Sequence, residues 1–476
     1  MPPSPSQLFA QISSTERPKH GGARLRRAVV LGASMAGLMA ARVLADHADE
    51  VLIVERDDSP ADGAPRSGVP QGTQVHALLA AGAMQLDRWF PGFSAEAIAA
   101  GSIVPPRDGS RDQMFINGRP RPTPSQPDLP VLISTRPFLE TLVRKKTVAV
   151  PNISLVTGRV EGLVFDGEVV RGARYLPAGA DELVTAPADL VVDAMGRSSR
   201  LSDWLADEGW PRPPMRRMPI KLNYATAMFT YDEAVTELWS SVSSAGADPK
   251  AGTPARTGGF LLVEGERTIM LISGYNDDKP SRDFADYQTR CRRDFPKVYG
   301  DIAENGQLIG EVITYHQADS RRRDFDELTR FPAGLIAAGD AVASFNPVYG
   351  QGMTSATLHA SCLSAYLQEN PPLDKPARSY FDRVRVIVDV AWQISTFADL
   401  ELPHVDGPYP RGYRLLKWFT GLMFNAAAID PEINEAMART TQMMAHPNSL
   451  AQPGLVLRAI WLNLIRAKPK AAASTS

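Results

Sequence analysis

Short unbroken apolar runs alternate along this chain with longer stretches of helical spacing, and the alternation is sharpest near the N-terminus. Ala28 to Leu31 reads as a strand buried on both faces. An alanine- and leucine-rich helix follows to about Ala45, and then a second apolar run, Val51 to Val54. Further helical spacing covers Val75 to Phe90, stopped by Pro91, and Arg136 to Val148, where Phe138, Leu139, Leu142 and Val143 share a face. Met114 to Ile116, Asn117-Gly118 and Arg119 form the strongest hairpin signal, since Asn-Gly favours the turn that matches strand twist. The segments 153–157, 160–165, 169–175 and 183–186 read as a strand meander closed by a buried strand at 190–192. A second β-rich region spans Met218 to Tyr275, with Gly259–Val263 and Thr268–Ser273 as a hairpin around Glu264-Gly265-Glu266-Arg267. A surface helix is expected at 283–295. Four more are expected near the C-terminus, at 380–397, 415–428, 431–444 and 455–465.

These patterns predict an α/β protein. A Rossmann-like domain takes residues 25–100, 134–217 and 325–372, a β-rich substrate domain takes 101–133 and 218–324, and a helical region takes 373–476. Residues 1–24 read as a disordered tail, and 120–130 as a proline-dense loop. At 476 residues there is ample chain for a large core.

The formal net charge of −2 provides no basic field, which argues against a nucleic-acid partner. Two cysteines, Cys291 and Cys362, are too few for a disulfide framework or a metal cluster, so no metal is expected and a reducing cytoplasm fits. Arg26-Arg27 before an apolar stretch imitates a twin-arginine export signal, but Arg42 and Asp46 interrupt that stretch. No apolar run reaches the roughly 20 residues needed to cross a bilayer. The last helix is amphipathic. Leu455, Leu457, Ile460, Trp461, Leu464 and Ile465 on one side, near Arg458, Arg466, Lys468 and Lys470, suit packing on the body of the protein, a membrane surface or a partner chain. The sequence leaves the oligomeric state open.

Candidate chemistry sits in two distant stretches. Gly32-Ala33-Ser34-Met35-Ala36-Gly37 lies between a strand and a helix, where Gly32 allows a tight turn and Gly37 close packing. The helix N-terminus there offers free N–H groups to a pyrophosphate. Ser34 stands where the fingerprint's middle glycine would be. Glu55, at the end of the next strand, is placed to accept from a ribose hydroxyl. Taken alone, this stretch also suits NAD. The second stretch is Gly339-Asp340 at the end of the short strand 335–338, followed by Asn346-Pro347-Val348-Tyr349-Gly350-Gln351-Gly352 and a helix from Met353 to about Leu367. Asp340 can accept from a polyol chain, and Gly350 and Gly352 let backbone amides approach a flat ring. The helix then aims its positive end at charge acquired by that ring. The pair points to FAD.

The run 339–353 closely resembles the flavin loop of FAD-dependent monooxygenases of the para-hydroxybenzoate hydroxylase fold. Segments 66–79 and 193–201 resemble the branch with polyether and polyene epoxidases. The likeness covers about residues 27–370 and is weaker beyond, around 391–396. It implies that Glu55 holds the adenosine ribose and that the turn with Ser34, Met35 and Ala36 holds the pyrophosphate. Arg136 would take a phosphate or ribityl oxygen, Arg66 would run along the cofactor, and Asp340 would take the ribityl chain. Pro347, Gly350, Gln351, Gly352 and Met353 would border the isoalloxazine ring. Two positions depart from the family pattern. Met195 stands where many relatives have aspartate in a pair serving FAD and NADPH. Thr73 stands where relatives of the branch often have arginine, so a cationic contact near the cofactor is either missing or supplied by Arg56 or Arg66.

The implied reaction is reduction of FAD by NADPH or NADH, or through a separate flavin reductase. Dioxygen is then captured as a flavin C4a-hydroperoxide and one oxygen atom passes to a small apolar substrate. Epoxidation of a polyketide-like olefin is the leading expectation. Hydroxylation of a phenolic ring and an FAD-dependent reductase or desaturase without oxygen transfer are the alternatives. A flavin-dependent halogenase would carry Trp-x-Trp-x-Ile-Pro, which this sequence lacks. His76 is the nearest catalytic candidate. Met228, Phe229, Phe260, Leu262, Met270 and Ile272 are expected to line the substrate pocket.

Overall fold

A computed structural model describes residues 3–467, except 20, 23, 59–63, 67, 122–128, 249 and 251. Ser67 of the resemblance, most of the proline-dense loop, and Lys468 and Lys470 therefore lie outside the described residues, as do the side chains of Ile465 and Arg466.

The chain opens with α1 (Pro5–Ile12), β1 (Leu25–Leu31), α2 (Met35–Leu44) and β2 (Ala48–Glu55). Helices α3 (Ala80–Trp89) and α4 (Phe93–Ala99) lead to the hairpin β3 (Asp112–Ile116) and β4 (Arg119–Arg121), then to α5 (Arg136–Val148). Next come β5 (Ile153–Asp166), β6 (Val169–Pro177), β7 (Val184–Pro187), β8 (Leu190–Asp193), α6 (Leu201–Asp207) and β9 (Met215–Met218). The second β-rich region holds β10 (Leu222–Thr230), β11 (Ser240–Ala245), β12 (Arg256–Val263) and β13 (Arg267–Tyr275). Helices α7 (Phe284–Asp294) and α8 (Lys297–Asn305) follow, then β14 (Leu308–Gln317). Strands β15 (Ser320–Arg323), β16 (Leu335–Ala337) and β17 (Ala343–Ser344) return the chain to α9 (Gln351–Gln368). The C-terminal helices are α10 (Arg378–Asp399), α11 (Tyr413–Ala427), α12 (Pro431–Thr441) and α13 (Pro453–Ala467).

Three sheets result. The first runs β16-β8-β1-β2-β5-β6-β7, parallel from β16 to β5 and closed by the antiparallel β5, β6 and β7. Every residue of α2 is buried, because it lies between this sheet and α9, and its alanines and glycine permit that close approach. The second sheet runs β14-β10-β13-β12-β11-β3-β4, with α7 and α8 packed on one face. The third joins β17, β15 and β9. The expected Asn-Gly turn forms with both residues at positive φ, 49° and 74°.

Several expectations are corrected. The N-terminal tail is not disordered throughout. Ser4 and Gln7 form a reciprocal cap on α1, and Phe9 and Ile12 are buried in the main core at 1% and 2% exposure. Ser13 and Ser14 carbonyls accept from Gln85, and the Ile12 carbonyl accepts from Arg88. Eight residues are too few to hold a helix alone, so tertiary burial decides this element. Helix α3 starts only at Ala80, since Leu78 is engaged in a bridge with Leu132. Residues 153–166 make one strand with two irregularities rather than two strands, and α4, α8 and β14 were not anticipated.

Helices α11, α12 and α13 share a small core of Met423, Ala426, Ala427, Ile433 and Ala459. Leu457, Trp461 and Leu464 remain at least 60% exposed. Among the described residues no helix is long and apolar enough to cross a membrane.

Phe9→Ala should cost about 3 kcal/mol of stability, in the range for truncating a buried aromatic ring. Thermal unfolding of the variant checks this, and an unchanged midpoint would show α1 to be dispensable.

Candidate functional site

The parallel strands β1, β2, β8 and β16 end at one edge of the first sheet, delivering Gly32, Glu55, Ala194 and Ala338 there. Carboxyl ends of parallel strands are where open α/β sheets receive ligands. Gly32 has φ 101°, and a Cβ on it would sit 2.6 Å from the Ala194 carbonyl oxygen. A Cβ on Gly37 would sit 1.9 Å from the Gly32 carbonyl oxygen, so both positions admit only glycine. Ser34 caps α2 in extended geometry without a side-chain cap bond, which leaves the first helical N–H groups facing outward. Met35 and Ala36 form that first turn and are buried.

The Ser34 hydroxyl instead donates to Glu140 Oε2 at 2.9 Å and accepts from Arg136 Nη2 at 3.1 Å. Glu140 is the hub of a cationic cluster. It pairs with Arg66, with Arg136 at 3.5 Å and with Arg144 at 3.6 Å, while Arg144 also donates to the Ala33 carbonyl at 2.6 Å. Arg66 further approaches Glu55 at 3.5 Å, and Glu55 accepts from Ala33 N–H at 2.6 Å. Sequence reasoning missed Arg144 and Glu140. Their spacing at i, i+4, and i+8 from Arg136 along α5 was the available signal, because it puts all three on one helical face. Arg56 is exposed; it reaches the Gly68 carbonyl at 3.4 Å and Asp57 at 3.9 Å, and so meets the rim of the cluster through Asp57, which Arg66 approaches at 3.8 Å.

The second stretch meets the same edge. Gly339, at φ 61°, donates its N–H to Nδ1 of the buried His359, 2.9 Å away. A Cβ there would lie 2.5 Å from Ala36 Cβ, so the loop touches α2 directly. Burial holds His359 down to about 3, hence neutral, leaving its other nitrogen to meet Ser355. Burial also raises the Asp340 carboxyl, opposed by Arg136 and Arg197. Gly350, at φ 66°, turns the chain between Pro347 and α9, and the Gly352 Cα faces Asp340 closely enough that a Cβ would stand 3.9 Å from its Oδ1. Gln351 and Met353 are buried in the first turn of α9.

A carboxylate from the C-terminal region completes this loop. Asp399, fully buried at the end of α10, accepts from Asn346 Nδ2 at 2.7 Å and from the Tyr349 hydroxyl at 3.1 Å, both on Oδ1. Its Oδ2 has no hydrogen-bond partner among the described residues. Burial pushes this carboxyl up to about 7, against the two hydrogen bonds.

The expected pocket residues divide between the two faces of the second sheet. Phe229, Phe260, Met270 and Ile272 pack with Tyr287, Cys291 and Tyr299 under α7 and α8, away from the 346–352 loop. Strand alternation puts Leu262 on the same side as Phe260. Met228 lies on the opposite face with Ile133, Val263 and Ile269. That opposite face, not the expected one, turns toward the loop: Leu222, Tyr224, Leu271 and Tyr275 cluster with Val348, Trp392, Leu400 and Val405. Tyr224 stacks on Tyr315 with centroids 6.4 Å apart.

His76 does reach the cluster, with Nδ1 2.9 Å from the Gln74 carbonyl and Nε2 3.4 Å from Arg136 Nη1. Burial, then the Arg136 charge, lowers it to about 3. It is neutral and occupied at both nitrogens, which suits positioning Arg136 rather than acid–base work.

These residues fit a dinucleotide by their unmet needs. Among the described residues, Arg66 Nη1, Arg136 Nε, Arg144 Nη1 and both amide atoms of Gln351 are buried without hydrogen-bond partners. Buried polar groups are ordinarily satisfied, and a pyrophosphate beside the arginines with a ring edge beside Gln351 would supply the missing partners. Among the described residues no cluster suited to a metal ion occurs.

Asp399 carries a pH signature. Burial lifts its folded carboxyl to about 7 from the ordinary 3.8, so the folded state binds the extra proton between those values and stability falls as pH rises through them. Asp399→Asn should therefore gain roughly 3 °C or more in Tm over the parent at pH 8 relative to pH 5. An equal difference at both pH values would contradict the raised carboxyl.

No family model matches the chain. It is 30% identical to Protein Rv3254 of Mycobacterium tuberculosis over 452 residues, covering 92% of this chain and 94% of that protein. Among solved structures, flavin-dependent brominase Bmp2 superposes with TM-score 0.66 at 14% identity, covering 93% of this chain and 99% of its own. p-Nitrophenol 4-monooxygenase PnpA of Pseudomonas putida gives 0.61 at 16%, covering 89% and 99%. PqsL of Pseudomonas aeruginosa, described as a probable FAD-dependent monooxygenase, gives 0.58 at 18%, covering 79% and 97%. These likenesses show the fold, that of FAD-binding monooxygenases, and the chain belongs to the same family as Protein Rv3254.

Proposed function

We propose that the protein is an FAD-dependent monooxygenase that inserts one atom of O2 into a small apolar substrate, with epoxidation of a polyketide-like olefin as the leading reaction. The observation that carries this reading is the convergence, on one strand edge, of the Gly32 turn and the 346–352 loop, each with buried polar atoms lacking partners. Residues 25–100, 134–217 and 325–372 would form the cofactor unit. Glu55 would accept from the adenosine ribose, and the α2 N-terminus with Arg66, Arg136 and Arg144 would hold the pyrophosphate. Asp340 would accept from the ribityl chain, and Pro347, Gly350, Gln351, Gly352 and Met353 would border the ring. Bound FAD supplies the electron transfer from NADPH, NADH or a separate reductase and the activation of dioxygen.

The chain's own residues then have three tasks. The α9 N-terminus, opening at Gly350, offers positive charge to the ring edge. Leu222, Leu271, Val348 and Trp392 exclude water and present an apolar wall to the substrate. Asn346 and Asp399 fix the loop that carries the ring contacts.

Aromatic hydroxylation is the second reading, and Asp399 favours it. A phenol attacked beside its hydroxyl gains from a base, and this carboxyl has one unpaired oxygen and titrates near neutrality. An olefin needs no such group.

The purified protein should show oxidised-flavin absorbance, lose it on anaerobic addition of NADPH or NADH, and regain it with oxygen. Product carrying one atom from labelled O2 should follow with olefins. Turnover of phenols alone would replace epoxidation by the second reading, and substrate conversion without oxygen consumption would indicate a reductase or desaturase. Arg144→Ala should weaken FAD binding at least about tenfold, the loss expected for one charge-assisted contact, measured by flavin fluorescence. Unchanged affinity would remove the arginine cluster from the cofactor site.

A further inference from the structure

The small sheet of β9, β15 and β17 pairs arginine with arginine. Antiparallel register sets Arg217 directly opposite Arg321 and Arg216 opposite Arg322. Like charges in directly opposed positions are destabilising, and the two faces of the sheet resolve that cost differently. On one face Arg216 and Arg322 share Asp324, at 2.7 and 2.6 Å. Arg216 also pairs with Glu327, and Arg322 with Asp389 at 2.7 Å. Two cations there meet three carboxylates.

The other face is undersupplied. Arg217 at 3.5 Å, Arg321 at 3.0 Å and Arg197, from the turn after β8, all converge on the single carboxylate of Asp319. Among the described residues no other acid comes within 4 Å of these three guanidiniums. Arg323 lies on the same face by strand alternation. It gives its terminal nitrogens to the Ala341 and Arg197 carbonyls, which leaves its buried Nε without a partner among the described residues. Burial lowers the affinity of Arg323 for its proton, and Arg321, Arg197 and Arg217 add repulsion against the opposing pull of Asp193. The face is open to solvent, with the Arg217 side chain 57% exposed and those of Arg197 and Arg321 24% and 22%. Arg197 also donates to Ser344, at the start of the stretch leading into the 346–352 loop.

We propose that Arg197, Arg217 and Arg321 form a binding site for a multiply charged phosphate group, with Asp319 gathering the guanidiniums in its absence. A guanidinium fork matches phosphate oxygens in shape as well as charge, and two uncompensated cations match a dianion. Two sources share this chemistry: the phosphates of a nicotinamide dinucleotide donor, and a free inorganic phosphate. The site does not depend on oxygen transfer, since it is defined by charge imbalance on a surface outside the Gly32 turn.

The test is calorimetric titration of the full-length protein, with and without saturating FAD, using pyrophosphate and adenosine 2′,5′-bisphosphate as probes. Arg217→Gln and Arg321→Gln should each weaken probe binding about tenfold, one charge-assisted contact apiece. Arg212→Gln, which removes an exposed arginine paired with Asp203, should leave it unchanged. Tighter binding of the bisphosphate than of pyrophosphate identifies a 2′-phosphorylated donor, and equal binding identifies free phosphate. Saturating FAD fills the Gly32 site, so the difference between parent and variants in its presence reports on this face alone. Probe affinity equal in the parent and both variants, or no binding by the parent, overturns the proposal. Arg217 is exposed, so its variant remains informative even if Arg321→Gln folds poorly.

Discussion

The contact of backbone against backbone at the β1–α2 turn governs the rest of the molecule. With no Cβ at Gly32 or Gly37, strand β1, helix α2 and the end of β8 approach to distances that any side chain would forbid. That closeness aligns four strand ends on one edge and brings the free N–H groups of α2 beside Glu55 and Ala194. The loop after β16 then packs on α2 through Gly339 and Ala36, so both glycine-rich stretches rest on one buried helix. Small residues along α2 and α9 extend the same logic, because only small side chains let two buried helices and a sheet lie this near one another.

Charge is arranged around this frame in two arginine clusters. Glu140, Glu55 and Asp57 face Arg66, Arg136 and Arg144, whereas among the described acids Asp319 alone serves Arg197, Arg217 and Arg321. Only the second cluster is short of acids, and it lies open to solvent, where unpaired guanidiniums cost less than they would if buried. Among the described residues Asp399 has no cation beside it, although it is buried against the loop it fastens. The fold alone does not choose among chemistries, since Bmp2 and PnpA share it. The choice rests on which groups face the 346–352 loop.

Local signals in the sequence determined much of the frame. A glycine turn between an apolar run and a helix, an Asn-Gly hairpin, a capped helix at Arg136 and a Gly-Asp strand end each depend on conformational preferences within a few residues. Those preferences are met in the folded chain. Tertiary structure decided what depends on distant partners. Alternation along β10, β12 and β13 marked two unlike faces but could not say which one α7 and α8 would cover, so Phe229, Phe260, Met270 and Ile272 proved to be core. Helix α1 forms because Phe9 and Ile12 find a core, and Arg144, Glu140 and Asp399 acquire roles only through side chains brought together from separate elements. A chain encodes its turns in neighbouring residues, whereas the pairing of buried charges and the choice of buried face are set by contacts across long separations, which no local pattern carries.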